Sequence, residues 1–168
     1  MNIKGLTRGD KFPEEFNVVI DMPKSSQNKY EYDEKLDIIK LDRVFYTAMV
    51  LKYDYGFIPQ TRSEDGDHLD AIVILDEATF PGIMVPSRPI GVIYMVDSGE
   101  GDEKIIAVCS DDPNYAHITE VDQLGPHFKE ELTHYFEHYK DIQGKVVKIN
   151  GWGNREEAIK VMQDSIED

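Results

Sequence analysis

Through most of the first 110 residues, apolar positions either alternate with polar ones or cluster in short β-branched runs. Val18-Val19-Ile20 and Leu36 to Leu41 predict strands, and Tyr46 to Leu51 predicts another. Ala71-Ile72-Val73-Ile74-Leu75 is unbroken, the pattern of a strand buried on both faces. Ile90 to Val96 and Lys104 to Cys109 flank residues 97–103, whose Gly99 and Gly101 predict a hairpin loop. Pro81, Pro86 and Pro89 interrupt the preceding stretch, which predicts irregular or edge backbone there.

After about residue 117 the period changes. Phe128, Leu132, Tyr135, Phe136 and Tyr139 recur at spacings of three and four, predicting a helix from Pro126 to Lys140 with one apolar stripe. Pro126 suits its first turn and Gly144 lies beyond its end. Lys145 to Ile149 predicts one more strand. Asn154 and Glu157 form a capping-box pattern that opens a last helix, with Ile159, Met162 and Ile166 expected on its packed face. Many short strands followed by two helices predict an α+β, mainly β fold: a small barrel flanked by helices, with residues 1–168 as a single domain.

Composition narrows the function. Lys and Arg number 18 against 33 Asp and Glu, a formal net charge of −15, while 40% of the residues are hydrophobic. The chain can bury a core, and its charge argues against nucleic-acid binding, which recruits basic surfaces. No apolar run is long enough to span a membrane, and residues 1–8 have no apolar signal centre, so a cytoplasmic protein is expected. Cys109 is the one cysteine; its apolar flanks predict burial, and an intrachain disulfide is impossible. An acidic protein still binds phosphates when divalent cations stand between the two negative partners.

The acids are clustered rather than spread. Asp65-Gly66-Asp67-His68-Leu69-Asp70 sets three carboxylates directly before the most apolar strand. Their mutual repulsion calls for a counter-charge, and a hard cation is the natural one for carboxylate oxygens. An EF-hand is excluded, because the sixth position from Asp65 is Asp70 and not glycine. Asp97, Glu100, Asp102 and Glu103 form a second cluster in the expected hairpin, followed by Lys104. If the fold joins the two, Asp65, Asp67, Asp70, Asp97 and Asp102 would hold two or more divalent ions for phosphoryl chemistry. Lys29 and Glu31 on one strand face, Arg43, Tyr55, and Tyr139-Lys140 at the helix end are the candidate phosphate-facing partners.

These segments resemble the soluble family I inorganic pyrophosphatases from about Phe16 to Ile166. The resemblance is carried by Lys29-Tyr30-Glu31, Leu41-Asp42-Arg43, Asp54-Tyr55-Gly56, Asp65 through Asp70, and Arg88-Pro89-Ile90-Gly91-Val92. It continues through Asp97 to Lys104, Phe136 to Lys140, and Gly151-Trp152. It implies the shorter prokaryotic type, a five-stranded OB-like barrel with two main C-terminal helices, and hydrolysis of pyrophosphate to two phosphates by direct attack of metal-activated water. Several Mg²⁺ ions are implied, with Mn²⁺, Zn²⁺ or Co²⁺ as substitutes. Asp65, Asp70, Asp97 and Asp102 would be metal ligands and Asp67 the general base. Lys29, Arg43, Tyr55, Lys104, Tyr139 and Lys140 would bind phosphate oxygens, with Asp21 and Glu31 in an outer metal shell. A homo-hexamer is implied too, with His134, His138 and Asp141 as interface candidates.

Three positions depart from the family pattern: Asp21 stands for the usual glutamate, Leu51 for a frequent tyrosine, and His68 for the usual proline. None of the three removes a core metal ligand, the base or a principal phosphate cation, so retained activity with an altered metal preference or rate is expected; a catalytically weakened, divalent-metal-binding relative is the alternative reading. His134-Tyr135-Phe136-Glu137-His138 also matches an H-x-x-E-H zinc-protease pattern, a five-residue match of low specificity on a helix whose stripe reads as packing.

Overall fold

The computed structural model describes residues 2–167. Nine strands and two α-helices follow one another: β1 (Phe16–Met22), β2 (Asn28–Asp33), β3 (Ile38–Val44), β4 (Asp54–Phe57), β5 (Asp70–Ile74), β6 (Met84–Asp97), β7 (Glu100–Gly101), β8 (Lys104–Cys109), α1 (Pro126–His138), β9 (Val147–Gly153) and α2 (Arg155–Asp164). Strands pair in the order β1-β4-β5-β8-β6, and β1 also pairs with β6, so five strands close into a ring. This is the expected barrel. β7 and β9 extend from β6, while β2 and β3 form a separate two-stranded hairpin.

The unbroken apolar run has the environment its pattern implied. Ala71 and Val73 face one core with Phe16, Ile105, Ala107 and, from α2, Ala158 and Met162. Ile72 and Ile74 face the other, with Ile106, Val108 and, from α1, Phe128, Leu132, Tyr135 and Phe136. Alternate residues thus serve opposite faces, and a helix covers each. Full burial of one such side chain contributes about 1.5–3 kcal/mol. The barrel wall is close at Gly56: a Cβ there would lie 2.1 Å from the Val19 carbonyl oxygen across the β1–β4 ladder.

Several local expectations are corrected. Tyr46 to Leu51 is irregular, not a strand: Phe45 and Leu51 anchor it in the α1-side core while Tyr46 points to solvent, so its apolar residues do not share one pleat face. The third strand starts later than Leu36, because Asp33 accepts from the Lys35 and Leu36 amides and Asp37 takes φ 53°, placing the turn there. Pro86 and Pro89 lie inside β6, which continues through a register shift between Pro89 and Gly91. The hairpin loop is tighter than expected, since Ser98 and Gly99 (φ 55° and 94°) make the turn and β7 returns along β6. The last strand runs on to Gly153. Asn154 and Glu157 do form a reciprocal capping box and Met162 is on the packed face of α2 as expected, but Ala158 and Val161 join it in place of Ile159, and Ile166 is exposed beyond the helix end. Cys109, at the end of β8, is half-buried rather than buried.

Candidate active site

The β5–β8 pair is parallel, with Asp70 opposite Lys104 at the two strand starts. That register puts the carboxylate and the ammonium side by side, and Asp102 reaches the same ammonium from two residues earlier. Lys104 Nζ lies 2.8 Å from Asp70 Oδ2 and 2.6 Å from Asp102 Oδ1 with only 3% of its side chain exposed. Burial alone would lower its pKa, but the two carboxylates hold it above the ordinary lysine value. Tyr55 on β4 donates its hydroxyl to Asp70, and its ring lies 5.3 Å below Lys104 Nζ. Burial, reinforced by the Asp70 charge, pushes the phenol well up, so Tyr55 remains a neutral donor.

All thirteen site residues expected from the sequence line one cleft of about 650 Å³. Asp21 enters from β1, Lys29 and Glu31 from β2, Arg43 from β3, and Asp97 from the end of β6. Asp65 and Asp67 come from the β4–β5 loop, where the Asp67 amide donates to Asp65 Oδ1 at 3.0 Å. Tyr139 and Lys140 follow the end of α1, and Lys140 donates to Asp97. Lys29 donates to Glu31, as two residues on one strand face can. Burial would raise the Asp97 carboxyl, but the Lys140 hydrogen bond and charge hold it below the usual value. Burial raises Asp102, against the pull of Lys104. Asp67 is also raised, by desolvation first and then by Asp65, Asp70 and Glu31.

Among the described residues, two buried polar atoms in this cleft have no partner: Asp21 Oδ1, an acceptor, and Arg43 Nε, a donor. Burial, with Asp70 and Glu31 adding to it, pushes Asp21 well above the ordinary carboxylate range. An orphaned carboxylate oxygen among further oxygen donors fits a hard divalent cation, and an orphaned guanidinium N–H fits an anion. Among the described residues no three acidic or imidazole groups are drawn into a preformed ligand shell, since lysine ammoniums stand between Asp70 and Asp102 and beside Asp97. Sequence reasoning missed Tyr32, Glu34 and Arg62, which line the same cleft. No motif marks them, although the departure at His68 lies beside them. In the H-x-x-E-H segment, Glu137 turns toward the Ile149 amide, away from the exposed histidines.

Clustered carboxylates set opposite cations and phenols on a small barrel are the equipment that a metal-dependent phosphohydrolase requires. The family model for inorganic pyrophosphatase matches residues 18–168. An inorganic pyrophosphatase of Saccharolobus solfataricus is 47% identical over 165 residues, covering 96% of each chain. One from Nostoc is 44% identical over 154 residues, covering 92% of this chain and 91% of its own. The solved inorganic pyrophosphatase of Thermus thermophilus superposes with a TM-score of 0.94 at 42% identity, over 99% of this chain and 97% of that one. The chain belongs to the soluble family I inorganic pyrophosphatases.

Proposed function

We propose that this chain, as a single domain over residues 1–168, hydrolyses inorganic pyrophosphate to two phosphates in the cytoplasm with Mg²⁺ as its metal. The observation that carries the reading is the meeting of two carboxylate clusters, far apart in sequence, with Lys29, Arg43, Lys104 and Lys140 in one cleft. Asp65, Asp70, Asp97 and Asp102 would hold the ions, with Asp21 and Glu31 in an outer shell, and Mn²⁺, Zn²⁺ or Co²⁺ would be substitutes. When bound, such ions acidify water and neutralise phosphate charge.

The chain's own groups supply the rest. Asp67, whose carboxylate enters none of the hydrogen bonds among the described residues, accepts the proton of the attacking water. Lys29, Arg43, Lys104 and Lys140 hold phosphate oxygens, and the neutral hydroxyls of Tyr55 and Tyr139 donate to them. The carboxylates that would repel free pyrophosphate are the same ones that would hold the cations, whose charge would offset that repulsion.

Phosphate release from pyrophosphate should therefore vanish in excess EDTA and return when Mg²⁺ is restored. Full turnover in EDTA overturns the mechanism. A folded wild type inactive with all four metals leaves the weakened, metal-binding reading in its place.

We also propose a homo-hexamer. On the exposed side of α1 the His134 and His138 rings lie 4.7 Å apart, and His138 Nδ1 is 2.8 Å from Asp141 Oδ2. Ile142 and Val146, 70% and 78% exposed, supply apolar surface beside them. Light scattering should give a mass six times that of the chain; a monomer at every concentration overturns this.

A further inference from the structure

The β2–β3 hairpin carries Lys29, Glu31 and Arg43 yet, among the described residues, shares no strand ladder with the barrel. Something other than sheet hydrogen bonding must therefore set its distance from the carboxylate loop. At its turn, both Glu34 carboxylate oxygens accept from Arg62: Nη1 to Oε1 at 2.6 Å and Nη2 to Oε2 at 3.0 Å. Arg62 lies in the β4–β5 loop, three residues before Asp65, and its Nε reaches Glu167 Oε2 at 3.0 Å. Its backbone amide donates to the Ser165 carbonyl at 2.7 Å, so the chain after α2 braces it from behind.

His68 completes the contact. Its Nε2 lies 3.0 Å from Glu34 Oε1 and its Nδ1 lies 2.9 Å from the Thr61 carbonyl oxygen. The His68 ring stacks on Phe57 of β4 (centroids 5.0 Å apart, planes 12° apart), and Tyr32 of β2 stacks on the same ring at 5.2 Å. Proline at this position would supply neither the imidazole contact to Glu34 nor the aromatic stacking.

We propose that Arg62, through its two-pronged bond to Glu34 and with His68 stacked beside it, is a positioning residue that holds the phosphate-facing hairpin in register with the carboxylate loop. Its planar fork fixes both distance and angle, which a lysine in its place would not. The Arg62 hydrogen bond also holds the Glu34 carboxyl below its ordinary value, in keeping with an ion pair present at neutral pH. The kinetic half of the proposal rests on the pyrophosphatase reading; the clamp itself does not.

The test uses the full chain with Arg62→Leu, Arg62→Lys, Glu34→Gln and the Arg62→Leu/Glu34→Gln pair. Hydrogen exchange at the amides of residues 28–44, measured without substrate, should speed up in Arg62→Leu and Glu34→Gln while the barrel strands keep their protection. KM for pyrophosphate should rise about tenfold, with kcat within about threefold of wild type, since the hairpin cations are displaced but not removed. The double variant should be no worse than either single one, and Arg62→Lys should recover little of the loss. Thermal unfolding separates this from global damage, because half-exposed ion pairs change stability little. Unchanged hairpin exchange overturns the clamp. Faster exchange with unchanged KM, or additive effects in the pair, overturns the positioning role. A wild type without turnover overturns the proposed function and the kinetic role with it, while exchange still decides the clamp.

Discussion

Replacing Asp67 by asparagine should lower kcat for pyrophosphate about 10²–10⁴-fold, the range expected when a general base is lost. Asparagine keeps the shape of the side chain and removes its ability to take a proton. The loop should persist, because its geometry depends on the Asp67 backbone: the amide donates to Asp65 Oδ1 at 3.0 Å and the carbonyl accepts from Ser63 at 2.8 Å. The carboxyl is raised by desolvation in the cleft and by the charges of Asp65, Asp70 and Glu31, with Lys29 opposing. A raised pKa makes a stronger base than an ordinary aspartate. Phosphate release should collapse while thermal unfolding stays within about 0.5 kcal/mol of wild type, as for most surface substitutions. A variant with undiminished kcat would remove Asp67 from the reaction.

Lys104→Met should produce the largest loss of stability, about 3 kcal/mol in metal-free buffer. The value sits at the low end of the cost of unpairing a buried ion pair, since water reaches the carboxylates from the cleft. The lysine side chain is 3% exposed and its ammonium faces both Asp70 and Asp102, so its removal leaves two carboxylates repelling each other.

The pH dependence follows from the signs of the shifts. In the wild type the lysine pKa is raised, so its contribution is fully present below the unfolded lysine value and is lost only as strong alkali titrates the folded one. In the variant Asp102, whose carboxyl burial already raises, loses the lysine that opposes the rise, so the deficit is largest at neutral pH and narrows as pH falls toward about 4. Added Mg²⁺ should restore part of the stability, because a cation held by Asp70 and Asp102 replaces the lost charge and binds only the folded state. Calorimetry with and without Mg²⁺ measures both effects. A variant as stable as wild type in EDTA would show that the cluster does not depend on its lysine.

The chemistry of the cleft was legible because its donors come in short runs with distinctive neighbours: Asp65 through Asp70 before an apolar strand, Asp97 through Lys104 in a hairpin, Tyr139-Lys140 after a helix. The strand and helix types were legible for the same reason, since a period of two or an unbroken β-branched run requires only local geometry. The stretch from Tyr46 to Leu51 was misread because its apolar residues answer to core contacts rather than to a pleat. On α2 only Met162 of the expected face was legible: Ala158, three and four positions before Val161 and Met162, completes the packed stripe with them in place of Ile159, and Ile166 falls beyond the end of the helix at Asp164.

By itself the sequence determined the kinds of element, the two acidic clusters and the family to which they belong, all properties of neighbours along the chain. Only the tertiary structure decided that the clusters meet, because that depends on the parallel register placing Asp70 opposite Lys104, residues 34 positions apart in the chain. It alone shows what braces the phosphate-facing hairpin. Glu34, Arg62, His68 and Glu167 carry no joint pattern in the sequence, and their contact arises only when the loop, the turn and the segment after α2 fold onto one another.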